Sequence, residues 1–105
     1  MNPRTHVAEL APDTRAHMHR LLDLLGRRWT LRIVWELRAA PLSSRALAAR
    51  CGGVSPTVLH KRLRELRDES IVELVERGYE LSARGIALID MLRPLEPWAR
   101  RWVRA

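Results

Sequence analysis

Cysteine occurs once in this chain of 105 residues, at Cys51, so no internal disulfide can form and a disulfide-stapled secreted scaffold is excluded. A lone thiol suits a reducing cytosol, and at the end of a short helix it is expected to be packed and inert. Long apolar runs are missing too. Met1–Pro12 has no apolar stretch of the signal-peptide kind, and charges break every other run well short of the ~20 residues of a membrane helix. The expected setting is cytoplasmic, with no membrane partner. Catalytic groupings are likewise absent: there is no glycine-rich phosphate loop, no nucleophile elbow and no paired carboxylates, so an enzyme is not expected. His17 and His19 stand two apart and would point away from each other on a helix. With His6, His60 and Cys51 they make no zinc spacing, so neither a metal nor a cofactor is expected.

Lysine also occurs once, as Lys61, and the net charge of +7 is carried almost wholly by arginine. A small basic protein suits a polyanion, nucleic acid first and an anionic membrane second. The charge is uneven along the chain. Residues 27–53 carry Arg27, Arg28, Arg32, Arg38, Arg45 and Arg50 against Glu36 alone, whereas residues 71–81 set Arg77 against Glu73, Glu76 and Glu80. Hydrophobic residues make up 47% of the chain, enough for one core and one compact domain.

Taken in order, residues 1–12 have two prolines and no period, and a loose arm is expected there. Residues 13–105 form the expected domain. Asp13 or Thr14 caps a first helix to about Leu25, with Met18, Leu21, Leu22 and Leu25 at helical spacing and Gly26 ending it. A second helix over 28–39 puts Trp29, Ile33 and Leu37 on one face, with Leu31, Val34 and Trp35 widening it until most sides are buried. Pro41 stops it. Ser43 or Ser44 caps a third helix, 45–51, that buries Ala46, Leu47 and Ala49; Gly52-Gly53 breaks the chain; Ser55 caps the next helix, with Pro56 at its first position. Helix, glycine turn, helix is a helix-turn-helix.

After Ser70 the period changes to that of a hairpin, with Ile71–Glu76 and Tyr79–Leu81 as strands and Arg77-Gly78 at the turn. Ser82 caps a last helix from about Ala83, with Ile86, Leu88, Ile89 and Leu92 apolar, and Pro94 and Pro97 kinking or interrupting it before Leu95, Trp98 and Trp102. The expected fold class is mainly α with a small β-hairpin: a winged helix-turn-helix.

Val54–Glu69 is the stretch that carries function. With Leu59 turned inward at 100° per residue, Ser55, Leu63, Leu66 and Ser70 follow it, while Thr57, Lys61, Arg64 and Asp68 face out with His60 on a flank. A helix of this width fits the B-DNA major groove. Arg64 and Lys61 can donate to guanine O6 or N7, Thr57 can meet a thymine methyl or a phosphate, and His60 can do either. Arg27, Arg28, Ser43, Ser44, Arg45, Ser55 and Arg77 are the candidate phosphate contacts, since hydroxyls and free N–H groups at helix starts suit a phosphate. The acidic wing is expected to add little. The same face read as plain solvated surface leads to the alternative, a winged-helix protein-interaction module without specific DNA binding.

The run from Leu22 to Trp98 resembles the HxlR-type transcriptional regulators, in the wider MarR-like winged-helix group. The matching pieces are LLDLLGRRWTLRIVWEL (21–37), PLSSRALAARC (41–51), VSPTVLHKRLREL (54–66), IVEL (71–74), YELSARG (79–85) and Trp98. The resemblance implies a homodimeric bacterial regulator that binds an inverted-repeat operator, and the expected function is that of a repressor occluding a promoter in double-stranded DNA at the nucleoid. It also implies dimerisation through the N- and C-terminal helices. Three departures stand out. No sensing cysteine precedes the first helix, the wing is several residues shorter, and Ser44 replaces an aromatic residue at the start of helix three. Leu21, Leu22, Leu25, Leu92, Leu95, Trp98 and Trp102 are more apolar surface than one small core needs, which independently points to a second copy as partner. The identity of any small-molecule effector is not legible.

Overall fold

The computed structural model describes residues 12–104, so the arm expected over residues 1–12 lies, but for Pro12, outside the described residues. Helix α1 spans Pro12–Leu25. It starts before Asp13 and Thr14, which therefore stand inside the helix and not at its cap. Its inward residue is Leu24, while Met18 and Leu22 are exposed. Gly26 closes α1 by donating its N–H to the Leu22 carbonyl at 2.8 Å.

Helix α2 is Thr30–Glu36, shorter than expected at both ends. Trp29 is left-handed (φ 81°), and a helix cannot run through that conformation, so residue 28 cannot begin it. Ile33, Val34 and Leu37 are buried and so is Thr30, but Leu31 is exposed, so α2 is embedded on one side only.

Helices α3 (Ser44–Cys51) and α4 (Pro56–Asp68) form the helix-turn-helix. Ser43 Oγ accepts from Ala46 N at 3.1 Å and Ser55 Oγ from Val58 N at 3.2 Å, so both serines cap as hydroxyls at these positions should. Gly52 and Gly53 take φ of 67° and 127° between them. Within α3, Leu47 and Cys51 are buried, Ala46 is half-buried and Ala49 is exposed, against expectation for the last. Within α4 the buried set is Leu59, Leu63 and Leu66. Ser55 and Ser70, expected inward, are exposed: Ser55 is the cap and Ser70 lies past the helix end in a left-handed conformation (φ 59°), where helical spacing no longer applies.

Strands β1 (Val72–Val75) and β2 (Gly78–Leu81) pair antiparallel, Val72 opposite Leu81 and Val75 opposite Gly78, so the turn is Glu76-Arg77. Leu42 extends this hairpin: its N–H donates to Tyr79 O at 2.9 Å and its carbonyl accepts from Tyr79 N at 2.8 Å. The segment entering α3 is thereby tied to the wing. Helices α5 (Ala83–Leu92) and α6 (Leu95–Arg104) are separate, broken at Arg93-Pro94. Pro97 falls in the first turn of α6, where its missing N–H leaves no bond unmade. Ser82 caps α5, accepting from Gly85 N at 3.0 Å. Ile89 is the buried residue of the apolar set on α5, and Ile86 is exposed. One core joins Leu24, the α2, α3 and α4 residues, Val54, Ile71, Val72, Leu81 and Ile89. Among the described residues no helix is long and apolar enough to cross a membrane.

Candidate nucleic-acid interface

Helix α4 is anchored from beneath. Leu59, Leu63 and Leu66 are almost wholly buried, and each fully buried leucine contributes roughly 1.5–3 kcal/mol of transfer free energy. That anchoring leaves Thr57, His60, Lys61 and Arg64 together on the exposed side of one helix, with Asp68 at its far end. Lys61 and Arg64 have no carboxylate within ion-pair distance among the described residues, so their donors stay available.

The phosphate candidates do not form one cluster. Ser43, Ser44 and Arg45 open α3, and Arg45 is exposed. The Ser43 and Ser55 hydroxyl oxygens already accept the bonds of their own caps, which leaves each hydroxyl hydrogen to donate. Arg27 and Arg28 lie in the turn between α1 and α2. Arg27 ion-pairs with Glu65 of α4, and the Arg28 guanidinium lies 5.4 Å from the Trp29 ring centroid. Arg77 is exposed at the hairpin turn next to the exposed Glu76, with Glu73 and Glu80 paired across the strands behind it.

Arg62, whose place on the side of α4 suits a salt bridge with Glu65 or Glu69, proves together with Glu65 to be structural. Arg62 pairs with Glu65 at 2.8 Å and its Nε donates to the Arg28 carbonyl at 2.8 Å. Helical spacing brings Arg62 to Glu65, but nothing in it links Arg62 to the carbonyl of residue 28. A second tie joins Arg20 of α1 to Glu69 just past α4, with both carboxylate oxygens at 2.8 Å. A groove of ≈ 740 Å³ lies between α1, the end of α4 and the start of α5, lined in part by Leu21, Leu24 and Ile71.

The surface proposed for self-association is divided over three elements. Leu22 is exposed on α1, with Leu21 and Leu25 half-buried beside it. Leu92 ends α5 and packs partly against the core. Helix α6 buries nothing: Leu95 is exposed, and Trp98 and Trp102 are 54% and 65% exposed. The two indoles stack on each other, with centroids 5.8 Å apart, and neither folds back into the core. Cys51 is buried, and burial pushes its thiol above the ordinary value of 9.0, with the nearby Arg32 charge offsetting part of the rise. Among the described residues no cluster of His, Cys, Asp and Glu could hold a metal.

Comparison with known proteins places this geometry among regulators. The model of the HxlR-like helix-turn-helix family matches residues 24–105. The HTH-type transcriptional regulator YvaP of Bacillus subtilis is 30% identical over 89 residues, covering 78% of this chain and 82% of YvaP. MJ0925 of Methanocaldococcus jannaschii, also an HTH-type transcriptional regulator, is 27% identical over 86 residues, covering 78% and 81%. Quinone-bound YodB from B. subtilis superposes with a TM-score of 0.72 at 29% identity, covering 88% of this chain and 99% of YodB.

Proposed function

The chain belongs to the HxlR-like helix-turn-helix family, whose members are DNA-binding transcriptional regulators, and from that premise we propose that it is a homodimeric repressor of an inverted-repeat operator. The observation that carries the reading is the divided helix α4: three leucines sealed in the core and Thr57, His60, Lys61 and Arg64 exposed together. Lys61 and Arg64 read guanine edges, and Thr57 and His60, nearest the helix start, reach deepest into the groove. Arg28, Ser43, Ser44, Arg45 and Ser55 grip phosphates, with Arg27 and Arg77 in lesser roles: Arg27 is shared with Glu65 and Arg77 is set among glutamates. Residues 13–105 act as one working unit. In the dimer, α1, the end of α5 and α6 meet their counterparts, and two α4 helices enter successive major grooves about 34 Å apart.

An effector belongs to the proposal in outline only. The quinone is YodB's ligand. In this chain Cys51 is buried, which argues against capture of an electrophile by its thiol. The groove beside α1 and α4 is the better place for a non-covalent effector.

The test is selection of bound fragments from genomic DNA, then footprinting of wild type and the Lys61→Ala/Arg64→Ala double variant. Wild type is expected to protect a two-fold symmetric site, and the variant to lose the footprint while keeping its fold and its salt-sensitive affinity for random DNA. An unchanged footprint removes Lys61 and Arg64 from base reading. No retained DNA at low or high salt would favour the protein-interaction alternative, for which the exposed tryptophans of α6 are the natural surface.

A further inference from the structure

We infer that Arg62 and Glu65 are positioning residues for sequence discrimination: they latch the recognition helix to the α1–α2 turn and touch no DNA themselves. This inference rests on the reading of α4 as the recognition helix. The Glu65 carboxylate holds two guanidiniums, Arg27 from the turn and Arg62 from one helical turn earlier on α4. Arg62 reaches on to the Arg28 carbonyl through Nε. The Arg62 and Glu65 side chains are only 16% and 23% exposed, far less than Arg20 of the other tie at 73%. Partial burial and charge-assisted bonding make this link a firmer restraint than a surface ion pair.

What the latch holds is a strained turn. Trp29 follows the bonded Arg28 carbonyl and sits at φ 81°, a conformation disfavoured for any residue with a Cβ. The Trp29 ring reaches the Gly52-Gly53 turn, where a Cβ on Gly53 would stand 3.9 Å from it. One turn therefore touches both the break of the helix-turn-helix and the middle of α4. It also carries Arg28, a phosphate candidate, and leads directly from α1. Fixing its backbone to α4 sets the angle between the helix that reads bases and the groups that grip the backbone. Register between those two sets is what separates specific from non-specific binding.

Two substitutions isolate the latch. Arg62→Lys keeps the charge and aliphatic stem but has no planar fork to serve Glu65 and the Arg28 carbonyl together. Glu65→Gln keeps the shape and removes the charge that holds both arginines. Affinity is measured for the selected operator fragment and for a random-sequence duplex of equal length, beside urea midpoints. For both variants operator affinity is expected to fall about tenfold, while random-duplex affinity is unchanged for Arg62→Lys and unchanged or higher for Glu65→Gln. If Glu65 acted only as a repelling charge, Glu65→Gln would raise both affinities together, and that result overturns the latch. So does a wild-type ratio of the two affinities in Arg62→Lys. Should Glu65→Gln fail to fold, Arg62→Lys decides alone. A wild-type protein that prefers no fragment overturns the recognition-helix reading itself, a result distinct from variants that discriminate as well as wild type does.

Discussion

Cys51 shows how much one position can carry. Its side chain completes the inner face of α3 beside Leu47, and burial raises the thiol above 9.0 because the thiolate would lose its water. The folded state therefore binds the proton more tightly than the unfolded state does. Linkage then fixes the sign: this contribution to stability is fully present below the ordinary thiol value and is lost as pH rises from there through the folded value. Urea midpoints of wild type should fall more steeply above pH 9.0 than those of Cys51→Ala, the thiol being absent from the latter. Iodoacetamide should alkylate Cys51 slowly in the native protein and rapidly in urea; equal rates would mean that the thiol is open to solvent. The lone cysteine was legible as packed, because a small apolar side chain ending a short helix has few other places to go. The burial of Leu24 instead of Leu22 was not. Four leucines crowd positions 21–25 of α1, and only the docking of α1 on its neighbours chooses which one faces the core.

Elements were legible where two local signals agreed. Helix α4 has a serine cap, a proline in its first turn and leucines at three and four, and it folds where those signals put it. Helix α2 has only its apolar period, which says nothing about a left-handed Trp29, so the helix starts two residues beyond the point that period indicates. The bridge from Leu42 to Tyr79 lay beyond sequence reading, since one bridged residue has no period at all. Its trace is Gly78, read as a turn residue but placed by the structure at the head of β2. A Cβ there would stand 2.4 Å from the Leu42 carbonyl oxygen, and the residue's φ is 123°. Only glycine allows the wing to lie this close to the entry of α3. Gly78→Ala should cost about 1–3 kcal/mol of stability, seen as a lower urea midpoint. Amide exchange at Leu42 and Tyr79 should accelerate, while the Leu63 and Leu66 amides of α4 stay slow below the global limit. Unchanged exchange at Leu42 would mean that the wing is held by its own hairpin, and the bridge would then have no part in seating α3.

At the scale of the whole molecule the chain is more extended than its length requires. The radius of gyration is 15.9 Å, against about 13 Å for a compact chain of this size. Helix α6 buries none of its residues and exposes Leu95, Trp98, Trp102 and Val103. Single exposed apolar residues are ordinary, but an apolar stripe along one helix marks an interaction surface. A second copy is the economical occupant, since two-fold symmetry would bring a second recognition helix to the same DNA face. Trp98→Ala/Trp102→Ala should then sediment as a monomer at concentrations where wild type is a dimer. Neither indole contributes to the core, so the monomer should keep its helical circular dichroism. Loss of the second half-site should weaken operator binding by about a hundredfold or more, because linked sites gain their advantage through effective concentration. The salt dependence gives an independent check. Each neutralised phosphate adds about 0.9 to the slope of log affinity against log salt, so a monomer gripping half the phosphates should show about half the wild-type slope. A double variant that stays dimeric with the full slope would move the interface to α1 and Leu92; one that turns monomeric yet keeps full affinity and slope would mean that one protomer fills the site alone.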